Sequence, residues 1–202
     1  DAGNWAKTIA FHSASGAQGE LAAEQARHLE AALWFERGLE LEQRGAPLEE
    51  VTAAYERAVE LDQASAGALV NLGTICFHAR DWKRAQEYYR RAIEAAPDYP
   101  LAHFNLGNLY DEQGDRTQAL LHYLAALRLD PDYADAHYNL ALLYQAGEQV
   151  MRALRHWRAY LKLDPSSSWA AVARQELEKL RRATVIEGSG AGGRQRDAGV
   201  TA

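Results

Sequence analysis

Asn71, Asn105 and Asn139 each open an Asn-Leu-Gly or Asn-Leu-Ala triplet, and each lies 34 residues from the next. A side-chain amide carries both donors and an acceptor, so it pairs with a peptide unit whatever side chain that unit bears. Three such amides at equal spacing on one surface can hold an extended chain. Other chemistries are poorly served. His103 and His137 lie one interval apart, as do His122 and His156, so these histidines follow the spacing instead of converging on a ligand. No His-x-x-x-His, Cys-x-x-Cys or paired carboxylate has metal-ligand spacing. Cys76 occupies the column of Tyr110 and Tyr144, the place of a small buried hydrophobe and not of a nucleophile. There is no glycine-rich phosphate loop after a strand, since no strand is predicted. Neither enzyme activity nor a cofactor or metal is expected.

The asparagines are equally spaced in space only if one structural element recurs beneath each of them. The interval of 34 also links Ala85, Ala119 and Ala153, then Tyr89, Tyr123 and Trp157, then Pro97, Pro131 and Pro165. Upstream, Val51, Tyr55, Ala58 and Asp62 stand 34 before Ala85, Tyr89, Ala92 and Ala96, whereas Gly38 precedes Gly73 by 35. The extra residue belongs in Gly45-Ala46-Pro47, so there are four units, the first irregular. Each unit reads as two helices. In the third, Leu101, Phe104, Leu106, Leu109 and Tyr110 recur at helical spacing until Gly114-Asp115. A second stripe through Ala119, Leu120, Tyr123, Leu124 and Leu127 then ends at Asp130-Pro131. Gly73, Gly107 and Ala141 are expected to let the first helix approach Ala85, Ala119 and Ala153 on the second, with Tyr89, Tyr123 and Trp157 filling the wider gap. Proline then re-aims the chain.

The 34-residue length, the Leu-Gly pair, the alanine followed by an aromatic residue and the terminal proline together resemble the tetratricopeptide repeat family, over about residues 31–166. Departures from its pattern are Arg37 for leucine, Gln63 for proline, Arg80 for the turn glycine, and a glycine one residue early at Gly147; irregular turns are expected there. The resemblance implies an all-α fold, a right-handed α-α superhelix whose first helices line a concave groove. It places in that groove an apolar row of Phe35, Val70, Phe104 and Tyr138. Beside it run Asn71, Asn105 and Asn139 with Asn108, and further along Thr74, Phe77, His78, Asp111, Glu112 and Gln145. It implies a protein-interaction module that binds a protein or an extended peptide. Chaperone-binding members of the family clamp a carboxylate with lysine and arginine on the first helices; the matching positions here offer Phe35, Leu39, Asn71, Leu101 and Asn105, of which only Asn71 matches, so that clamp is not expected. Asp111 and Glu112 favour a neutral or basic ligand.

The remaining features concern charge and ends. With 22 basic and 28 acidic residues the chain is net −6, a poor balance for nucleic acid. Residues 1–148 hold 12 basic and 23 acidic side chains, and residues 149–202 hold 10 and 5. That asymmetry supports an alternative, a scaffold that self-associates as a homo-oligomer through acidic and basic ends. Another is the interaction or sensor part of a larger regulator, since the repeats are also similar to tetratricopeptide portions of larger bacterial proteins, and the chain starts at Asp1, not methionine. Membrane partners and spans are not expected, and one cysteine fits a cytoplasmic, reducing compartment. The predicted organisation is an irregular segment over 1–17 and a solenoid over 18–186. Its repeats cover 31–65, 66–99, 100–133 and 134–166, and a capping helix over 167–182 follows. A flexible tail over 187–202 ends the chain.

Overall fold

The computed structural model describes the backbone of residues 2–191 and the side chains of residues 18–183. Among these residues the elements are all helical: α1 (Ala2–Gln43), α2 (Leu48–Leu61), α3 (Ala66–His78), α4 (Trp82–Ala95), α5 (Pro100–Glu112), α6 (Arg116–Leu129), α7 (Ala134–Ala146), α8 (Val150–Leu163) and α9 (Ser168–Ala191). The chain divides into two compact units, residues 1–109 and 110–202, with the division inside α5. Within the first unit α1 packs on α2, α2 on α3 and α3 on α4; within the second α6 packs on α7, α7 on α8 and α8 on α9.

One turn geometry closes every hairpin. The backbone N–H of Ala46 reaches the Leu41 carbonyl, Asp81 reaches Cys76, Asp115 reaches Tyr110 and Gln149 reaches Tyr144, at 3.0, 2.9, 2.9 and 2.8 Å. The residue before each donor is left-handed: Gly45 at φ 65°, Arg80 at 60°, Gly114 at 77° and Glu148 at 57°. This is the glycine-type helix ending that satisfies the last carbonyls. The turns of the second and fourth units are therefore regular in shape, contrary to expectation. Arg80 and Glu148 take on the strained conformation that glycine adopts freely, while Gly147 stays at φ −93°. Asp81 and Asp115 then cap the following helices, their carboxylates accepting from the N–H groups of Arg84 and Gln118 at 3.1 Å. Between Gly45 and α2 lies the extra residue of the first unit, and Pro47 there replaces the capping aspartate.

The packing differs from the sequence reading in one detail. It is the tyrosine ring, not the alanine, that fills the space over Gly38 and Gly73. A Cβ built on Gly38 would lie 2.3 Å from the Tyr55 ring, and one on Gly73 would lie 2.5 Å from the Tyr89 ring. Both rings are buried, as are Ala54, Ala58, Ala85 and Ala92 on the same helices.

The ends also differ from expectation. Helix α1 already begins at Ala2, inside the segment read as irregular. That stretch has no amphipathic period, but it holds five alanines and no proline, so nothing in it stops a helix. The surroundings of Trp5, Ile9 and Phe11 lie outside the described side chains. Helix α9 passes residue 182 and continues to Ala191, and the rest of the expected tail lies outside the described residues. Its first turn is capped by Ser167, whose Oγ accepts from the Ala170 N–H at 3.2 Å.

Candidate functional site

In the first unit Asn71 and Asn105 are half-buried, on α3 and α5. Each follows a buried tyrosine of the preceding helix by 16 residues. Asn105 donates through Nδ2 to Thr74 Oγ1 at 3.4 Å. Thr74 gives its own proton to the Val70 carbonyl at 3.0 Å, so in its 3.3 Å contact with Tyr89 the tyrosine is the donor. Burial pushes the Tyr89 hydroxyl up to about 12. Tyr55 is the counterpart one repeat earlier. Its hydroxyl is buried without a hydrogen-bond partner, with the Glu42 carboxylate and the Asn71 amide beside it. Burial first, then Glu42, raises it well above the ordinary tyrosine value.

The apolar row of this unit is largely spent on packing. Val70 is 1 % exposed and cannot meet a ligand: α3 is covered by α2 on one side and α4 on the other. Phe35 lies over Gly67 of α3, where a Cβ would come within 2.8 Å of its ring, and also 6.0 Å from the centre of Tyr55. Phe104 and Asn108 are half-buried on α5. Phe77, half-buried, turns its ring toward His78 and Trp82, with centroids 5.6 and 5.3 Å away, so it braces the α3–α4 turn; His78 itself is exposed.

In the second unit Asn139 is half-buried on α7 and donates through Nδ2 to Tyr123 Oη at 3.2 Å. Tyr138 sits among aromatic rings, edge-on to Trp157, Tyr160 and Trp169 with centroids 5.0, 5.1 and 5.7 Å away. Trp169 is 61 % exposed and extends this aromatic wall, a surface residue the sequence reading did not assign. The signal was present: Trp169 stands 34 after Asp135, and Ala173 stands 34 after Asn139, so α9 continues the series of first helices. Gln145 is committed internally, accepting from Trp157 Nε1 at 3.1 Å and donating to Glu176 at 2.8 Å. Lys179, at 2.6 Å from Glu176, and then Gln145 hold that carboxyl below the usual range. Asp111 and Glu112 are exposed at the end of α5. Partial desolvation and then Glu112 raise the Asp111 carboxyl, against Arg116.

Behind this wall two histidines meet. His137 Nε2 lies 3.0 Å from the Pro131 carbonyl, which can only accept, so Nε2 carries the proton. His137 Nδ1 then accepts from His156 Nδ1 at 2.9 Å. His156 stacks on Tyr144, with centroids 5.4 Å apart. Burial first, then His137 and Arg155, lower its pKa to about 4. Among the described residues no three His, Cys, Asp or Glu side chains are grouped to hold a metal ion, and no helix is long and apolar enough to cross a membrane.

Paired helices recurring at 34 residues and closed by the same turn define an α-helical repeat protein. Residues 64–132 match one model of the tetratricopeptide repeat and residues 122–155 match a second. Residues 64–155 are thus tetratricopeptide repeat sequence. No curated protein sequence matches it. Among solved structures it is similar to MamA, at 23 % identity and a TM-score of 0.58, covering 67 % of this chain and 78 % of MamA. It is similar to YrrB, described as a TPR protein with an unusual peptide-binding site, at 20 % identity and a TM-score of 0.57, covering 73 % of this chain and 78 % of that one. The first TPR of Spaghetti (RPAP3), bound to the HSP90 peptide SRMEEVD, matches at 22 % identity and a TM-score of 0.54, covering 59 % of this chain and 95 % of that one. At these identities the likeness shows the fold.

Proposed function

We propose that the chain is a protein-interaction module whose first helices take up extended segments of a partner. The observation that carries this reading is the half-exposed amide at the same repeat position in α3, α5 and α7. In two of the three, Nδ2 donates a side-chain hydrogen bond, to Thr74 for Asn105 and to Tyr123 for Asn139. Such a bond fixes the orientation of the amide plane, and a fixed amide binds with less loss of rotamer freedom. Unit one presents Asn71 and Asn105; unit two presents Asn139 beside Tyr138 and Trp169. Two structures of the same fold support this use, one bound to a peptide and one described as having a peptide-binding site. The exposed Trp169 supplies the aromatic anchor typical of energetically dominant contacts.

The test uses a displayed library of random linear peptides selected on the full chain. A selected peptide is then titrated against wild type, the triple variant Asn71→Ala/Asn105→Ala/Asn139→Ala, and Trp169→Ala. Affinity should fall at least about tenfold in the triple variant, the loss of one or more hydrogen bonds, while far-UV circular dichroism stays unchanged. Equal affinity for wild type and for both variants would exclude these helices as the contact.

A further inference from the structure

The two terminal helices carry exposed apolar residues set among opposite charges. Helix α1 has 42 residues and its partner α2 only 14, so α2 covers just the C-terminal part of α1. Ala31, Gly38 and Leu41 form the covered face. On the opposite face Ala22, Ala26, Leu29, Leu33, Glu36 and Glu40 recur at alternating intervals of four and three, the spacing of a helix-pairing stripe. Leu29 and Leu33 are 65 % and 63 % exposed. Residues 18–63 hold eleven acidic and four basic side chains.

Helix α9 is the complement. Trp169 and Val172 are exposed; Lys179 and Arg182 further along pair with Glu176 and Glu178 on the same helix, so the positive excess comes from Arg174, Arg181 and the four basic residues of α8. Residues 149–183 hold eight basic and three acidic side chains. A helix that ends a repeat array normally turns a polar face outward to keep the array soluble. Here both ends break that rule, with apolar centres of comparable size and flanks of opposite sign.

The geometry points to a second copy of this chain as the occupant: the acidic stripe of α1, centred on Leu29 and Leu33, docks on the basic surface of α9, centred on Trp169 and Val172, of a neighbouring molecule. The contact is heterologous, since two different patches meet, and each pair of molecules keeps one free patch of each kind. Charge complementarity selects this pairing over α1 with α1, which brings acidic flanks together. The inference goes beyond peptide capture and does not rest on it, although both place Trp169 in the contact.

Sedimentation of the full chain over a hundredfold dilution from about 100 µM tests it. Wild type should show a mass that rises with concentration beyond that of a dimer, and at least about tenfold weaker association in high salt. The variant Leu29→Glu/Leu33→Glu loses the first patch and Trp169→Glu the second. All three positions are exposed, so the helical signal should be unchanged. Each variant alone should be a monomer, and an equimolar mixture should form a dimer with one chain of each. A wild type that stays monomeric throughout would overturn the proposal. So would a Trp169→Glu variant that still dimerises, which would mean α1 pairs with α1, or a mixture that fails to associate. The asparagine triple variant should assemble as wild type does, so loss of peptide binding and loss of assembly are separate outcomes.

Discussion

Acidification should unfold this protein earlier than its carboxylates require, and the cause is His156. In the folded chain burial, His137 and Arg155 hold its pKa at about 4, against the ordinary value of 6.5. Above pH 6.5 the ring is neutral folded and unfolded, so it adds no pH dependence. Below 6.5 the unfolded chain takes up a proton that the folded chain refuses, and stability is lost at about 1.4 kcal/mol per pH unit. The loss ends near pH 4, where the folded form also protonates, after about 3 kcal/mol in all. The groups facing the ring are His137 from α7 and Arg155 on its own helix, with the Arg152 guanidinium 5.5 Å from the centre of the Tyr144 ring on which His156 stacks. None of them rescues a protonated His156. A second proton would set two N–H groups against each other across the 2.9 Å His137–His156 contact. The assay is urea unfolding by circular dichroism from pH 7.5 to 5, for wild type and for His156→Phe, which keeps a ring on Tyr144. Over the range 6.5 to 5 wild type should lose about 2 kcal/mol more than the variant. Parallel curves for the two proteins would refute the reasoning.

Two further perturbations test the elements that hold the surfaces in place. Gly73→Ala sets a Cβ 2.5 Å from the Tyr89 ring, which is 1 % exposed and has nowhere to move, so unfolding by urea should show a loss of about 1–3 kcal/mol despite alanine's better helix propensity. Glu148→Gly relieves a left-handed residue at φ 57° with an exposed side chain, and the midpoint of thermal unfolding should rise, by about 1 kcal/mol of stability; no change would mean that this turn relaxes in solution.

The repeat and its helices were legible because both are written in local spacing. Apolar residues at three and four, an aspartate at the helix start and a proline beyond its end all act within one hairpin. The turns were less so. Arg80 and Glu148 do not announce a left-handed conformation; the backbone bonds of Asp81 to Cys76 and Gln149 to Tyr144 impose it. The amide column was visible, but its engagement was not, because it depends on which tyrosine of the previous helix comes within reach. Val70 failed as a groove residue for a similar reason. Its column holds Phe104 and Tyr138 elsewhere, and whether such a residue faces out depends on how closely the next helices cover it. Trp169 was missed because the series of first helices was taken to end with the fourth unit, although α9 keeps the same interval.

The asparagine column and the tyrosine column are best understood as one device. A tyrosine laid over glycine lets two helices approach closely, but it carries a hydroxyl into the core, where an unpaired polar group costs about 1–3 kcal/mol. The asparagine 16 residues later lies on the next first helix, directly bonded to the hydroxyl for Tyr123 and joined to it through Thr74 for Tyr89. At Tyr55 the partner bond is not closed, and the hydroxyl remains the described residues' buried side-chain polar atom without one. An asparagine selected to satisfy the interior is thereby held at the surface with its amide half in solvent. Binding of a peptide backbone then needs no new residue, only that the incoming chain share an amide already oriented from beneath. On this view Asn139→Ala weakens both the hairpin stack and the ligand contact, whereas Tyr123→Phe frees the amide's orientation while leaving its chemistry intact. Affinity that falls with Tyr123→Phe while Asn139 is unaltered is the signature of orientation, since phenylalanine at 123 fills the same buried space and offers the peptide nothing to lose.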